Sequence, residues 1–193
     1  MSVSRRPIAI IGSSTFGRLV RVLVADAGRS FAGYLDDYST GNGILGTLDK
    51  LDEPAFSLDV DLALAIGYRH LEARLDIFRR ARRRGFEFPS LVHPRAFVST
   101  EATLGSGCIV MAGSNIDAFA HVGEACVLWP GSIVSHDARV GENTFISPNA
   151  TVCGFSQIGH SSFLGAGCTV VDNVEVPAAS FIKASQRVGR SNP

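Results

Sequence analysis

From Val98 onward an aliphatic residue returns at every sixth position without a slip: Val98, Leu104, Val110, Ile116, and so on through Val134 and Val152 to Val188. Four places after each stands a small or β-branched residue, from Ala102 and Cys108 to Ser180, and the pattern breaks only at Gln186. A period of six matches neither the 3.6 of a helix nor the 2 of an isolated strand. It fits a chain that turns a corner every six residues, with the aliphatic side chain inside a triangular coil and the small one near the corner. Three hexapeptides close one coil of 18 residues, so the repeat builds five coils stacked about 4.8 Å apart. The reading over residues 93–193 is a left-handed parallel β-helix. Gly105, Gly123, Gly141, Gly159 and Gly165 recur just after the aliphatic position, where a turn is expected to need positive φ.

Such a prism leaves apolar side chains on its flat faces. Ile109, Phe119, Val127, Trp129, Ile133, Phe145, Phe155 and Phe163 fall at outward positions. Their number favours burial against neighbouring prisms, and a homotrimer is the natural closed solution. Three of the four cysteines, Cys108, Cys126 and Cys168, fall on the small-residue position, and no CxxC occurs. Inert packing is the better reading of them than disulfides or metal. A formal net charge of zero gives no support for a nucleic-acid partner. Apolar stretches are shorter than a membrane span and no long signal-type run opens the sequence, so a cytoplasmic location without membrane insertion is expected.

The first 92 residues are written differently. Pro7 to Ile11 reads as a buried strand, followed by Gly12-Ser13-Ser14-Thr15-Phe16-Gly17 and a helix from Phe16 to Ala27. A second strand, Phe31 to Leu35, leads into Asp36-Asp37. Val60 to Ile66 is a third strand and Arg69 to Arg84 a second helix closed by Gly85. Strand, glycine turn, helix and strand describe a small α/β, Rossmann-like βαβ domain with a parallel sheet. The glycine loop could hold a phosphate on backbone N–H groups or be a tight turn with no ligand. The run Arg79, Arg80, Arg82, Arg83 and Arg84 reads as a solvated helix end, favourable at the negative pole of the dipole.

Within the repeat, chemistry concentrates at Val134-Ser135-His136-Asp137-Ala138-Arg139-Val140-Gly141. An imidazole can take a proton from an attacking amine or hydroxyl near neutral pH, and an adjacent carboxylate can fix its tautomer. One full coil further on, Gly154 is expected beside His136, with a backbone N–H able to donate to an oxyanion. His121 and His160 are not a whole number of coils away and belong elsewhere. His93, before Pro94, reads as structural. No two histidines have metal-ligand spacing, so no catalytic metal is expected.

With these residues in hand the chain resembles the NeuD/PglD-like family of hexapeptide sugar O- and N-acyltransferases over nearly its full length. The resemblance rests on Ile10-Ile11-Gly12, Phe16-Gly17, Leu35-Asp36-Asp37, Ala65-Ile66-Gly67, Val92-His93-Pro94 and, most specifically, the segment Val134 to Gly141. It implies a trimer with active sites between prisms, acetyl-CoA as co-substrate along the β-helix, and a nucleotide-linked amino sugar on the N-terminal domain. On it His136 is the general base, Asp137 its orienting partner, and Gly154, with Cys153 beside it, the acyl-CoA contact. Gly12, Ser13, Ser14, Asp36 and Asp37 line the nucleotide site. The chain departs from the family pattern at Phe145, where some members carry a second histidine, and at Trp129-Pro130, where many have Asn-Thr. Trp129 is therefore expected to shape the acceptor pocket. The C-terminal run Ile182 to Val188 also differs from the usual Gly-x-Pro-Ala-Lys-like segment.

The first functional reading is an acyl-CoA-dependent N-acyltransferase on a nucleotide-linked amino sugar, serving surface glycan biosynthesis by direct transfer. A second makes the acceptor a sugar hydroxyl, as in sialic-acid O-acetylation. A third, from another class, is a non-catalytic trimeric scaffold that has lost CoA.

Overall fold

The computed structural model describes residues 6–53, 56 and 59–189, and the chain divides into two compact units, Met1–Leu91 and Val92–Pro193. The boundary falls one residue before the one expected.

The first unit is a four-stranded parallel sheet with β1 (Ile8–Ile11), β2 (Phe31–Leu35), β3 (Ile44–Gly46) and β4 (Asp61–Leu64) in the order β3-β2-β1-β4. Every residue of the central β1 is buried, as an uninterrupted apolar run between two neighbours requires. Helix α1 (Thr15–Asp26) buries Gly17, Val20, Leu23 and Val24, the one face that 3.6-residue spacing allows. Helix α2 (Leu71–Arg83) buries Leu75, Phe78 and Ala81 in the same way. The three-residue β3 escapes a reading of the sequence because a piece so short shows no periodicity.

The arginine run at the end of α2 is more than a solvated helix end. Arg80 pairs with Asp52, and Arg84 donates to the Leu51 and Asp52 carbonyls at 3.3 and 2.9 Å. Both reach the 3-10 turn Leu48–Asp52, which no sequence signal marks. The hydrogen bond from Arg80 holds the Asp52 carboxyl below its usual range.

The second unit is a parallel solenoid of about five turns, a left-handed β-helix whose three faces are sheets of five, six and six short strands. Each residue pairs with its counterpart one coil further on: Val122 with Val140, Leu128 with Ile146, Val134 with Val152. The interior is the aliphatic column of the repeat, and the small-residue column from Cys108 to Cys168 is equally buried. Burial pushes the Cys168 thiol up to about 11, while Cys108 and Cys126 donate to the carbonyls of Gly123 and Gly141 at 3.1 and 3.2 Å.

The glycines after the aliphatic positions do a different job from the one expected. Positive φ occurs three residues after the aliphatic position, at Gly107, Gly113, Gly131 and Gly167 and at non-glycine residues such as Asp137 (58°), Asn143 (58°) and Asn149 (56°). Gly105, Gly123 and Gly141 instead provide clearance. A Cβ on them would lie 2.6, 2.6 and 2.5 Å from the backbone nitrogens of Glu124, Glu142 and His160 in the next coil. Close stacking, and not the turn dihedral, selects glycine there.

The outward apolar residues also divide. Val127 lies between Ile109 and Phe145 on successive coils, and all three are buried within the chain, so they are not surface awaiting a neighbour. Phe97, Phe119, Ile133, Phe155 and Phe181 remain exposed.

These roles separate two substitutions. Gly123→Ala is expected to cost about 1–3 kcal/mol through overpacking against the next coil. Ala179→Gly, at an exposed site with φ of 55°, is expected to stay within about 1 kcal/mol of the parent, because relief of left-handed strain offsets the added chain entropy. Urea unfolding of both checks this; equal losses would contradict the assignment.

Candidate active site

The corner formed by residues 135–138 stacks between the corners of residues 117–120 and 153–156. The Asp137 N–H donates to the Ala118 carbonyl at 3.3 Å, and the Phe155 N–H to the His136 carbonyl at 3.4 Å. Asp137 takes a left-handed backbone conformation, which aspartate tolerates better than most residues. Its carboxylate lies 3.0 Å from His136 Nδ1. A carboxylate only accepts, so Nδ1 carries the hydrogen and, in the neutral ring, Nε2 holds the free lone pair. The His136 side chain is 53% exposed, so that lone pair faces solvent and not a structural partner.

Beneath the ring lies Gly154. A Cβ there would sit 2.9 Å from His136 Cε1 and 3.0 Å from Nε2, so the imidazole occupies the space a side chain would take. The Gly154 N–H has no hydrogen-bond partner among the described residues, while its carbonyl accepts from Asn173 N–H at 3.1 Å. The ring of Phe155 meets the imidazole edge-on, with centroids 5.2 Å apart. Cys153, next to Gly154, is half-buried; desolvation and the nearby Asp172 push its thiol up, which disfavours a nucleophilic thiolate.

The face that follows this corner carries His121, Arg139, Gln157 and Glu175 in one outward column. They floor a groove of about 730 Å³ whose far side is Gly141, Glu142, Pro177 and Ala178. Spacing from His136 does not find His121, because the two are not a whole coil apart. The signal that finds it is its own column, in which it pairs with Arg139 one coil on. His160 lies at another corner, 3.4 Å from Ser161 Oγ. Trp129 does too: the strand Ile133–Val134 separates it from His136, and its ring packs against Phe145 at 6.0 Å. Among the described residues no group of three or more His, Cys, Asp or Glu could hold a metal ion, and no helix is long and apolar enough to cross a membrane.

In the first unit, Gly12, Ser14, Asp36 and Asp37 line a cleft of about 360 Å³, closed by Ile66, Ala73 and Ile77. It lies at the carboxyl ends of β1, β2 and β4, where the strand order switches sides about β1. Gly12 has φ of 98°, and a Cβ there would lie 2.8 Å from the Ala65 carbonyl oxygen. The loop's first N–H groups are not free for a phosphate. Gly12 donates to the Leu35 carbonyl at 2.9 Å, and Ser13 gives both N–H and Oγ–H to Asp36 Oδ2 at 2.7 Å each. Asp36 Oδ1 takes the N–H groups of Tyr38 and Ser39, whereas Asp37 holds Leu48 N–H at 2.7 Å. Burial raises the Asp36 carboxyl, but these hydrogen bonds outweigh it and leave the group below its ordinary range.

A stacked parallel prism with an oriented, exposed imidazole at one corner defines the class of hexapeptide-repeat acyltransferases. The family model described as bacterial transferase hexapeptide (six repeats) matches residues 119–154 and 137–172. Among solved structures, the acetyltransferase domain of PglB from Neisseria gonorrhoeae is 29% identical, with a TM-score of 0.90 over 97% of this chain and 93% of that one. PerB from Caulobacter crescentus, solved with CoA and GDP-perosamine, is 30% identical, with a TM-score of 0.86 over 97% of this chain and 90% of its own. A histidine-to-alanine mutant of GDP-perosamine N-acetyl transferase from the same organism, in the same complex, gives the same figures. No curated protein sequence matches the chain. The chain belongs to the NeuD/PglD-like family of sugar acyltransferases.

Two outcomes follow from the geometry. Gly154→Ala should push the imidazole from its place, shifting the His136 Cε1–H NMR resonance while costing at most about 1–3 kcal/mol of stability. An unmoved resonance would contradict the stacking. Asp36→Asn should lower stability at neutral pH by about 1 kcal/mol, as expected for partly screened hydrogen bonds to a charged group. Because the folded carboxyl is depressed, the advantage of wild type is present above the unfolded-state pKa and fades as pH falls through the folded value. Acid titration of both proteins by urea unfolding reads this; a gap that persists in acid argues against it.

Proposed function

We propose that the chain transfers an acyl group, acetyl in the first instance, from acyl-CoA to the amine of a nucleotide-linked amino sugar, with His136 as general base. One observation carries this reading: the Asp137 carboxylate on Nδ1 makes Nε2 the lone-pair nitrogen of the neutral ring, and the ring lies directly above Gly154. The amine attacks the thioester carbonyl while Nε2 takes its proton; the C–S bond then breaks, and the imidazolium returns the proton to the departing thiolate. No covalent acyl-enzyme is needed, consistent with buried or half-buried cysteines whose resolved thiol shifts run upward. The Gly154 N–H is the candidate donor to the developing oxyanion.

The groove beside the corner offers an extended bed for the acyl carrier, with Arg139 on its floor. The cleft at Gly12, Ser14 and Asp37 is the candidate nucleotide site. Ser13 and Asp36 act there as scaffold, since each satisfies the other. The exposed Phe97 and Ile133, on one face of the prism, support a homotrimer. The relatives solved with CoA and GDP-perosamine point to the same substrate classes, and a cytoplasmic role in surface glycan synthesis fits such substrates.

Free-thiol release from acetyl-CoA with a panel of nucleotide-linked amino and hydroxy sugars tests the proposal. Turnover with an amine acceptor, falling at least about 100-fold in His136→Ala, is expected. Turnover confined to hydroxyl acceptors would make the enzyme an O-acyltransferase. Undiminished turnover in the variant would remove His136 from the chemistry.

A further inference from the structure

Two residues at the active corner break a rule the rest of the solenoid keeps. The position three after the aliphatic residue takes positive φ at turn after turn, and it is filled by glycine, alanine, serine, asparagine or aspartate. The exceptions are Phe119, with φ of 62°, and Phe155, with φ of 59°. For a bulky side chain this is a strained backbone state, and such strain gathers where function requires it.

Their placement is as telling as their conformation. Phe119 stands one coil before Asp137 and Phe155 one coil after it, so the two rings occupy the same column as Asp137, on either side of it. Both are exposed, at 62% and 51%, so the strain is not offset by full burial in the core. Phe155 also touches the imidazole edge-on. A strained, half-exposed aromatic contributes little to a folded monomer. Two of them bracket a single His–Asp pair, one coil to either side of Asp137, and the Phe155 ring lies against the imidazole.

We infer that Phe119 and Phe155 form an aromatic clamp that holds the pyranose ring of the acceptor against His136, by packing on its C–H face. This rests on the acyl-transfer reading and deepens it. The amine is polar, but the carbons of a hexose ring present a flat C–H surface, and more so when the hexose is deoxygenated at C6. An aromatic wall on each side would fix which ring atom faces Nε2 without a single hydrogen bond. The clamp therefore adds affinity for the sugar part of the acceptor and none for its nucleotide.

The test compares wild type with Phe119→Gly and with Phe155→Gly, changes that remove the ring and suit the backbone. Calorimetry would measure GDP against GDP-perosamine, and UDP against a UDP-linked 4-amino-4,6-dideoxyhexose. In wild type the sugar-bearing ligand of one pair should bind at least tenfold tighter than its bare nucleotide. In Phe119→Gly that advantage should shrink to threefold or less, with nucleotide affinity, thermal midpoint and oligomeric state unchanged. Phe155→Gly should lose the same advantage and, where turnover is measurable, also kcat, because its ring contacts His136. An unchanged sugar advantage in both variants would overturn the clamp. So would a wild type that binds sugar-bearing and bare nucleotides alike, or variants that dissociate an oligomer while keeping the advantage. The binding readout does not need turnover: a wild type that shows the sugar advantage but transfers no acyl group would defeat the acyl-transfer reading and leave the clamp standing.

Discussion

The parallel backbone ladder between successive coils is the constraint on which everything else depends. Each coil's N–H groups donate to carbonyls of the next at close to 2.9 Å, as in Val127 to Thr144 and Ile133 to Ala150. That spacing is short enough to forbid a Cβ at Gly105, Gly123 and Gly141, and regular enough to align every eighteenth residue in a column. Each aliphatic side chain sealed inside contributes about 1.5–3 kcal/mol of burial, and small polar side chains such as Ser114 and Ser156 add hydrogen bonds from coil to coil. A column is therefore the unit of both stability and function here. Whatever is written at one position is presented beside what is written one coil away.

The candidate active corner is the outcome of that arithmetic. His136 lies over Gly154 because the two share a column, and Gly154 must lack a side chain because the imidazole fills its place. Asp137 can turn back onto Nδ1 because its backbone is left-handed, the state that this corner position imposes on nearly every coil. The same conformation imposed on Phe119 and Phe155 leaves both side chains exposed, the Phe155 ring against the imidazole. Orientation, access and apolar walls thus come from one repeated turn filled with different side chains.

What the sequence makes readable follows the same division. The coil count, the interior columns and the pairing of His136 with Gly154 all derive from a period that needs no knowledge of side-chain conformation. Where a second force enters, the reading fails. Gly105 and its counterparts read as turn glycines because glycine serves both purposes, and only the coil spacing separates them. Phe145 reads as a surface residue because alternation marks it as outward, but the residues stacked around it leave it buried. In the first unit the βαβ core is plain from Ile8 to Leu35. By contrast β3 is too short to see, and no rule of spacing indicates that Asp36 takes up the Ser13 N–H and hydroxyl for itself. Trp129, unusual for its position, lies at a different corner from the base.

The central claim is that acyl transfer takes place at the His136 corner, over Gly154. A crystal structure of the chain with CoA and a bound nucleotide-linked amino sugar tests it most directly. The account predicts the acceptor nitrogen within hydrogen-bond reach of His136 Nε2, about 3 Å, with the thiol of CoA on the Gly154 side. An acceptor amine and CoA thiol that meet at another corner, out of reach of Nε2, would contradict it.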